Sequence, residues 1–417
     1  MKRPIVPQGV TLAVTLAILA AIAPTQALAA DVPFELKDGD RVVLIGGTLV
    51  EREQATGYLE TRLIRRFPDR NLTFRNLGWS GDTVEGVSQA GFGPVEDGFK
   101  HLVEHVLSLK PTVLIVGFGA NESFEGAAGL PKFLQGFEKL LKAVEPAKAR
   151  LVFLSPTRQE DLGPPLPDPS RHNAELALYR DAIEAEAEKR GAAFVDLFRF
   201  LPDGSKADPR RPLTTNGIHF SPYGYHRLAS VIDTRLIGQK FASNWGRSDL
   251  GAVKVSHAAD IRNWGKVPGG FRFEMLDSSL PVPRPPDGAA EQPTEGRVIS
   301  AIKLDPGRYL LKVDGFILAS ATDADWKAGV AIQHGPEFDQ VEALRAAVVA
   351  KNELYFYRWR PQNETYLFGF RKHEQGKNAR EIPLFDPLIA AKEAEIARLR
   401  VPVPHTYELI RETEVGR

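Results

Sequence analysis

Four short stretches of the 417-residue chain hold residues able to do chemistry. The first is "RVVLIGGTLVERE", Arg41 to Glu53, an apolar run that enters a glycine turn and continues with helical character. Enzymes often set a nucleophile at such a turn. Here it offers Gly46-Gly47-Thr48 and no serine. The second stretch, "NLGWSGDT", brings Gly78, Ser80, Gly81 and Asp82. The third, "GANES", brings Asn121, and the fourth, "TTNGIHFSPYGY", brings Asn216 and His219. A hydroxyl near an imidazole is the raw material of nucleophilic catalysis. Thiolate catalysis and disulfides are excluded because the chain has no cysteine. Its nine histidines include no HExxH spacing, so no metal and no cofactor is expected.

The elements around these stretches explain why they should meet. Short apolar runs at 41–45, 72–78, 112–119, 149–156 and 192–198 read as strands. Between them, apolar residues recur at helical spacing, as in Leu59, Leu63 and Phe67, or Leu176, Tyr179 and Ile183. Apolar strands alternating with amphipathic helices predict a parallel sheet covered on both faces, a three-layer α/β/α sandwich. In such a sheet, ligands bind beyond the carboxyl ends of the strands, where the chemistry-bearing loops fall.

The rest of the chain sets the context. Hydrophobic content of 43% and charged content of 25% are those of a globular protein. Zero formal net charge provides no field to attract nucleic acid or an anionic membrane. Lys2 and Arg3, the run "VTLAVTLAILAAIA" and "ALAA" before Asp31 read as a signal peptide over 1–30. The run is shorter than the roughly 20 residues of a spanning helix. Export to the periplasm or medium is therefore expected, with cleavage after Ala29 or Ala30 and no membrane attachment afterwards. The α/β pattern occupies 31–245. Residues 246–417 read as an α+β extension, with a small antiparallel meander over 260–330 and a helical, aromatic-rich segment over 336–417. "ELYFYRWRPQNETYLFGFRKHEQG" (353–376) interleaves aromatic and basic residues. It either stacks rings of a ligand or seals the extension against the α/β part, and the second is the expectation.

In order and spacing, residues 40–240 resemble the SGNH (GDSL-type) esterase superfamily, as a divergent bacterial subgroup with a C-terminal extension. "NLGWSGDT", "GANE" and "NGIHFSPYGY" carry the resemblance. It implies a flavodoxin-like fold with a five-stranded parallel sheet. It also implies Thr48 as nucleophile, His219 as base, Asn216 as the group orienting His219, and Gly81 and Asn121 as oxyanion-hole donors. Three positions depart from the family: Gly46-Gly47-Thr48 stands for Gly-Asp-Ser, Glu122 for the aspartate usual after the asparagine of the third stretch, and Asn216 for the triad aspartate. Thr48 keeps a hydroxyl, but its β-branch restricts the rotamer. The Asn216 carbonyl is able to accept the Nδ1–H of His219, although it carries no charge to stabilise an imidazolium. Ser80 and Ser221 are weaker candidates for the nucleophile, Ser221 being more simply a helix N-cap.

The resemblance implies hydrolysis of a carboxylic ester in a small molecule or glycan. Compartment and family together suggest an acyl group on a carbohydrate. The altered residues keep a second reading open, a catalytically degenerate protein that binds a glycan, acyl ligand or protein partner. Oligomeric state is not legible.

Overall fold

The computed structural model describes residues 34–201, 210–238, 244–248, 251–286 and 297–412. The segment read as a signal peptide lies outside them. Five strands, β1 (Arg41–Gly46), β2 (Thr73–Asn76), β3 (Val113–Gly117), β4 (Arg150–Leu154) and β5 (Ala193–Val195), form a parallel sheet in the order β2-β1-β3-β4-β5. This is the flavodoxin-like order. The near-continuous apolar strands follow from burial on both faces. Val42, Leu44, Val113 and Ile115 point into one core, and Val43, Ile45, Leu114 and Val116 into the other. Burying each such side chain contributes about 1.5–3 kcal/mol, so the strand ends that carry the loops stand on a rigid base.

Helices α1 (Thr48–Glu53), α2 (Tyr58–Arg65), α3 (Val95–Ser108), α4 (Gly126–Val144) and α5 (Ser170–Arg190), with helix Pro222–Ile232, complete the α/β part. Leu59 and Leu63 of α2 and Leu228 and Ile232 of the last helix pack on one face, and Leu102, Phe137 and Tyr179 on the other.

The antiparallel strands expected beyond residue 245 are present, arranged as two sheets. One is built from β6 (Asn244–Ser248), β7 (Gly251–Val255), β10 (Arg297–Ile302) and β13 (Val330–Ile332), in the order β13-β10-β7-β6. The other is built from β8 (Ala259–Val267), β9 (Gly270–Asp277), β11 (Arg308–Val313), β12 (Phe316–Thr322) and β14 (His405–Arg411), in the order β12-β11-β14-β9-β8. Val255 and Ile299 of the first sheet share one core with Phe273, Leu311 and Tyr407 of the second, which makes a β-sandwich. Asp314 and Gly315, an Asp-Gly pair suited to a tight hairpin turn, both take positive φ between β11 and β12. The partner inserted between β9 and β11 comes from the far end of the chain.

Helix Pro336–Trp359 leaves the sandwich and returns to the α/β part, where Val341, Leu344 and Val348 join the core beneath the sheet. Lys351 reaches the Glu60 carboxylate at 2.7 and 2.8 Å and the Phe74 carbonyl of edge strand β2 at 3.1 Å. Arg75 of β2 pairs with Glu393 of helix Phe385–Leu399 at 2.6 Å. The two helices therefore cover the edge of β2, which would otherwise present unpaired backbone groups. The buried Lys351–Glu60 pair fixes the position of this cover: removing one partner of such a pair costs about 3–5 kcal/mol.

Candidate active site

The nucleophile candidate stands where β1 turns into α1. Thr48 is the first residue of α1, directly after Gly47. A Cβ at Gly46 would lie 2.5 Å from the Gly117 carbonyl oxygen, so only glycine lets β1 and β3 end this close together. Gly81 adopts φ +79°, which turns its N–H toward the site. That N–H donates to Thr48 Oγ1 at 3.3 Å.

The Gly81 loop is braced from behind by α1 and by the C-terminal region. Glu51 Oε2 accepts the Ser80 N–H at 2.5 Å and Arg360 Nη1 at 2.8 Å. The Arg360 guanidinium lies over the Trp79 ring, 3.5 Å from its centroid, and Trp359 meets Trp79 edge-on at 5.7 Å. Tyr355 packs beneath Arg75 at 4.9 Å. This part of the aromatic segment seals the extension against the α/β part and contributes nothing to the cavity lining. Phe368 and Phe370 are exposed.

Asn121 follows β3. Asn121 lines the cavity, and its Nδ2 donates one of its two N–H groups to the Asp82 carbonyl at 2.7 Å. Glu122, at the position of the family aspartate, accepts the N–H groups of Val84 and Gly119, each at 2.9 Å, and so ties the second loop to the third. Asp82 accepts Ser88 N–H at 3.0 Å and Gln89 Nε2 at 2.8 Å. Burial raises the pKa of both carboxyls.

His219 sits in a tight hairpin. Thr214 bridges Phe220, and the Thr215 N–H donates to the His219 carbonyl at 2.8 Å. Glu160 pins the hairpin by accepting Leu213 N–H, Thr214 N–H and Thr214 Oγ1 at 3.0, 2.8 and 2.6 Å. Ser221 caps helix Pro222–Ile232 by accepting Gly224 N–H at 3.0 Å. Burial first, and then the Arg52 cation, hold the His219 pKa below the ordinary histidine value.

Asn216 is oriented differently from the expectation. Its Oδ1 accepts the backbone N–H groups of His219 at 2.9 Å and Ile218 at 3.3 Å, while Nδ2 faces His219 Nδ1 at 3.0 Å. The carbonyl expected to receive the imidazole proton is taken by the backbone turn it closes.

Thr48, Asn121 and His219 line one cavity of about 270 Å³ at the carboxyl ends of the strands. Gly81 touches Thr48, and Asn216 stands behind His219. All five residues expected at the site are thereby brought to one place. Phe118, Leu176 and Phe220 give the cavity an apolar wall, with Arg158 and Gln159 among the polar lining. Phe124 and Ile218, 64% and 49% exposed, stand at its rim, and Phe124 stacks on His172 at 4.1 Å. A cavity of about 630 Å³ lies at the opposite, amino ends of β1, β3 and β4, away from these groups. Among the described residues, no group of three or more His, Asp or Glu could hold a metal.

Sequence reasoning missed Arg52, Glu160 and Arg360. Glu160 and Arg360 act through contacts distant in the chain, and nothing in their local sequence marks them out.

Residues 43–227 match the model of the GDSL-like lipase/acylhydrolase family. The matched segment is the α/β part, which carries a GDSL-like lipase/acylhydrolase domain with the fold and the four loops of the SGNH (GDSL-type) hydrolases. Among solved structures it is similar to BT4096, a gut microbial diltiazem-metabolizing enzyme. That match has a TM-score of 0.71 at 18% identity and covers 91% of this chain and 99% of the other, so the fold is shared through the C-terminal region. The acetylxylan esterase Axe2 from Geobacillus stearothermophilus matches at 18% identity and TM-score 0.39, over 50% of this chain and 98% of its own. LAE5, an alpha/beta hydrolase enzyme from the metagenome of Lake Arreo, Spain, matches at 20% identity and TM-score 0.38, over 49% and 99%. No curated protein matches the chain.

Proposed function

We propose that this chain is an exported hydrolase that cleaves a carboxylic ester through an acyl-threonine intermediate. Thr48 Oγ1 attacks the acyl carbon while its proton passes to His219 Nε2. The oxyanion that forms is held by the Gly81 N–H and the second Asn121 Nδ2–H. The C–O bond then breaks, and His219 returns the proton to the departing alcohol. Water cleaves the Thr48 ester by the same route in reverse, releasing the acid. The Gly81 N–H directed at Thr48 Oγ1 at 3.3 Å, in the cavity that His219 also lines, carries this reading. The apolar wall suits a small acyl group. An acyl group on a carbohydrate is the substrate we favour, because the N-terminal residues read as an export signal and such esters lie outside the cytoplasm.

A second reading is a binding protein that keeps the oxyanion donors and has lost turnover. The β-branch at Thr48 and the uncharged Asn216 favour it. Hydrolysis of p-nitrophenyl acetate by the purified chain separates the two. Release above Thr48→Ala and His219→Ala controls supports the hydrolase. Equal rates in all three proteins, with no gain in Asn216→Asp, remove it. N-terminal sequencing of exported material should begin at Ala30 or Asp31, and an intact Met1 there would contradict export by cleavage.

A further inference from the structure

We infer that Asn216 fixes His219 in the tautomer that carries its proton on Nε2, so the hydrolase site rests in a latent state. The tautomer follows from hydrogen bonding alone; its consequence rests on the reading of Thr48 and His219 as the reacting pair.

A side-chain amide has one oxygen that only accepts and one nitrogen that only donates. Two backbone N–H groups, of Ile218 and His219, converge on one atom of Asn216. That atom has to be the oxygen. Turning the amide over would set its NH₂ against two donors and lose both bonds. The NH₂ is therefore committed to the other side, where it meets His219 Nδ1 at 3.0 Å. This contact is a hydrogen bond only if Nδ1 bears a lone pair. A neutral imidazole has one N–H, so it sits on Nε2. Burial and then the Arg52 cation disfavour the charged form of the ring and so favour the neutral one.

The consequence is a reversed polarity at the pocket. Removing the Thr48 proton needs a lone pair on Nε2, and this tautomer has a hydrogen there. His219 meets the cavity as a donor, fit to hold a carbonyl or carboxylate rather than to act as a base. An aspartate in the same place would invert the arrangement. One carboxylate oxygen would keep the backbone N–H groups while the other accepted Nδ1–H, leaving the lone pair on Nε2. Asn216 is thus a positioning residue whose single nitrogen-for-oxygen exchange sets the state of the base. In a serine protease, replacing the triad aspartate by asparagine with the geometry preserved lowers turnover about 10⁴-fold.

The test uses the full chain with ¹⁵N-labelled histidine, at pH 7, in two-bond proton–nitrogen correlation spectra. His219→Gln identifies the ring among the nine histidines. The expected parent spectrum shows Nδ1 unprotonated and Nε2 protonated, and Asn216→Asp reverses the two. The same variant should raise kcat on p-nitrophenyl acetate by roughly 10³–10⁴-fold with little change in KM. If the tautomer reverses as stated but neither protein hydrolyses the ester, the tautomer assignment stands and the hydrolase reading falls. If the parent already carries its proton on Nδ1, the inference is overturned whatever the activity.

Discussion

The two halves of the cavity are built to different standards. The oxyanion half rests on three loops cross-tied by carboxylates: Glu51 holds Ser80 and Arg360, Asp82 holds Ser88 and Gln89, and Glu122 holds Val84 and Gly119. Its bracing extends into the C-terminal region through Arg360, which directly follows helix Pro336–Trp359. The base half is one hairpin pinned by Glu160, and its decisive contact, between Asn216 and His219, is solvent-exposed and uncharged. Donors for charge stabilisation are thus held by cross-tied loops, while proton transfer depends on the single amide of Asn216. A fold arranged this way can lose or gate turnover without losing the pocket.

If the base half is what limits the protein, repairing it should have the largest effect. Thr48→Ser with Asn216→Asp restores a primary hydroxyl and an acceptor for Nδ1–H. Hydrolysis of p-nitrophenyl acetate should then rise roughly 10⁴-fold. The two changes act on one proton-transfer unit, so their effects should be non-additive. An unchanged rate with native circular dichroism would place the defect elsewhere. In that repaired background, Asn121→Ala should lower kcat by about 10²–10³-fold, as for loss of one oxyanion donor. A loss confined to KM would assign Asn121 to binding instead. Arg360→Ala probes the bracing: with the Gly81 loop released, kcat should fall by up to about 10²-fold, the scale of a small misplacement. Added guanidinium should recover part of it, and Arg360→Lys should not substitute. A wild-type kcat in the Ala variant would separate the C-terminal region from the site. The smallest effect concerns His219 itself. Its NMR titration should show an inflection below the ordinary value of about 6.5, because burial and Arg52 disfavour the charged ring. Arg52→Gln removes one of these causes and should move the inflection upward; no movement would show that burial acts alone.

What was legible in the sequence tracks local against distant causes. Strands such as Val113–Gly117 were readable because burial on both faces demands an unbroken apolar run. The glycine-bearing loops were readable because close approach and positive φ restrict the choice of residue, as at Gly46 and Gly81. Together these placed Thr48, Gly81, Asn121, Asn216 and His219 at one end of one sheet. The aromatic segment was legible only in part: Tyr355 and Trp359 seal, whereas Phe368 is exposed and Phe370 meets the α/β part only through the exposed Phe92. Strand β14 alternates Tyr407 and Leu409 inward, but its partners β9 and β11 are set by long-range pairing that no local pattern encodes. Arg360 and Glu51 stand 309 residues apart. The orientation of the Asn216 amide depends on two backbone N–H groups whose directions exist only once the hairpin has formed.

The central claim is that Thr48 is the nucleophile of an intact oxyanion site held back by Asn216. Labelling the Asn216→Asp protein with an alkyl fluorophosphonate, followed by peptide mass spectrometry and a crystal structure of the adduct, tests it most directly. Phosphorus is expected on Thr48 Oγ1, with its non-ester oxygen within hydrogen-bond reach of Gly81 N and Asn121 Nδ2. A label on Ser80 or Ser221, or an unlabelled Thr48 in folded protein, would contradict it.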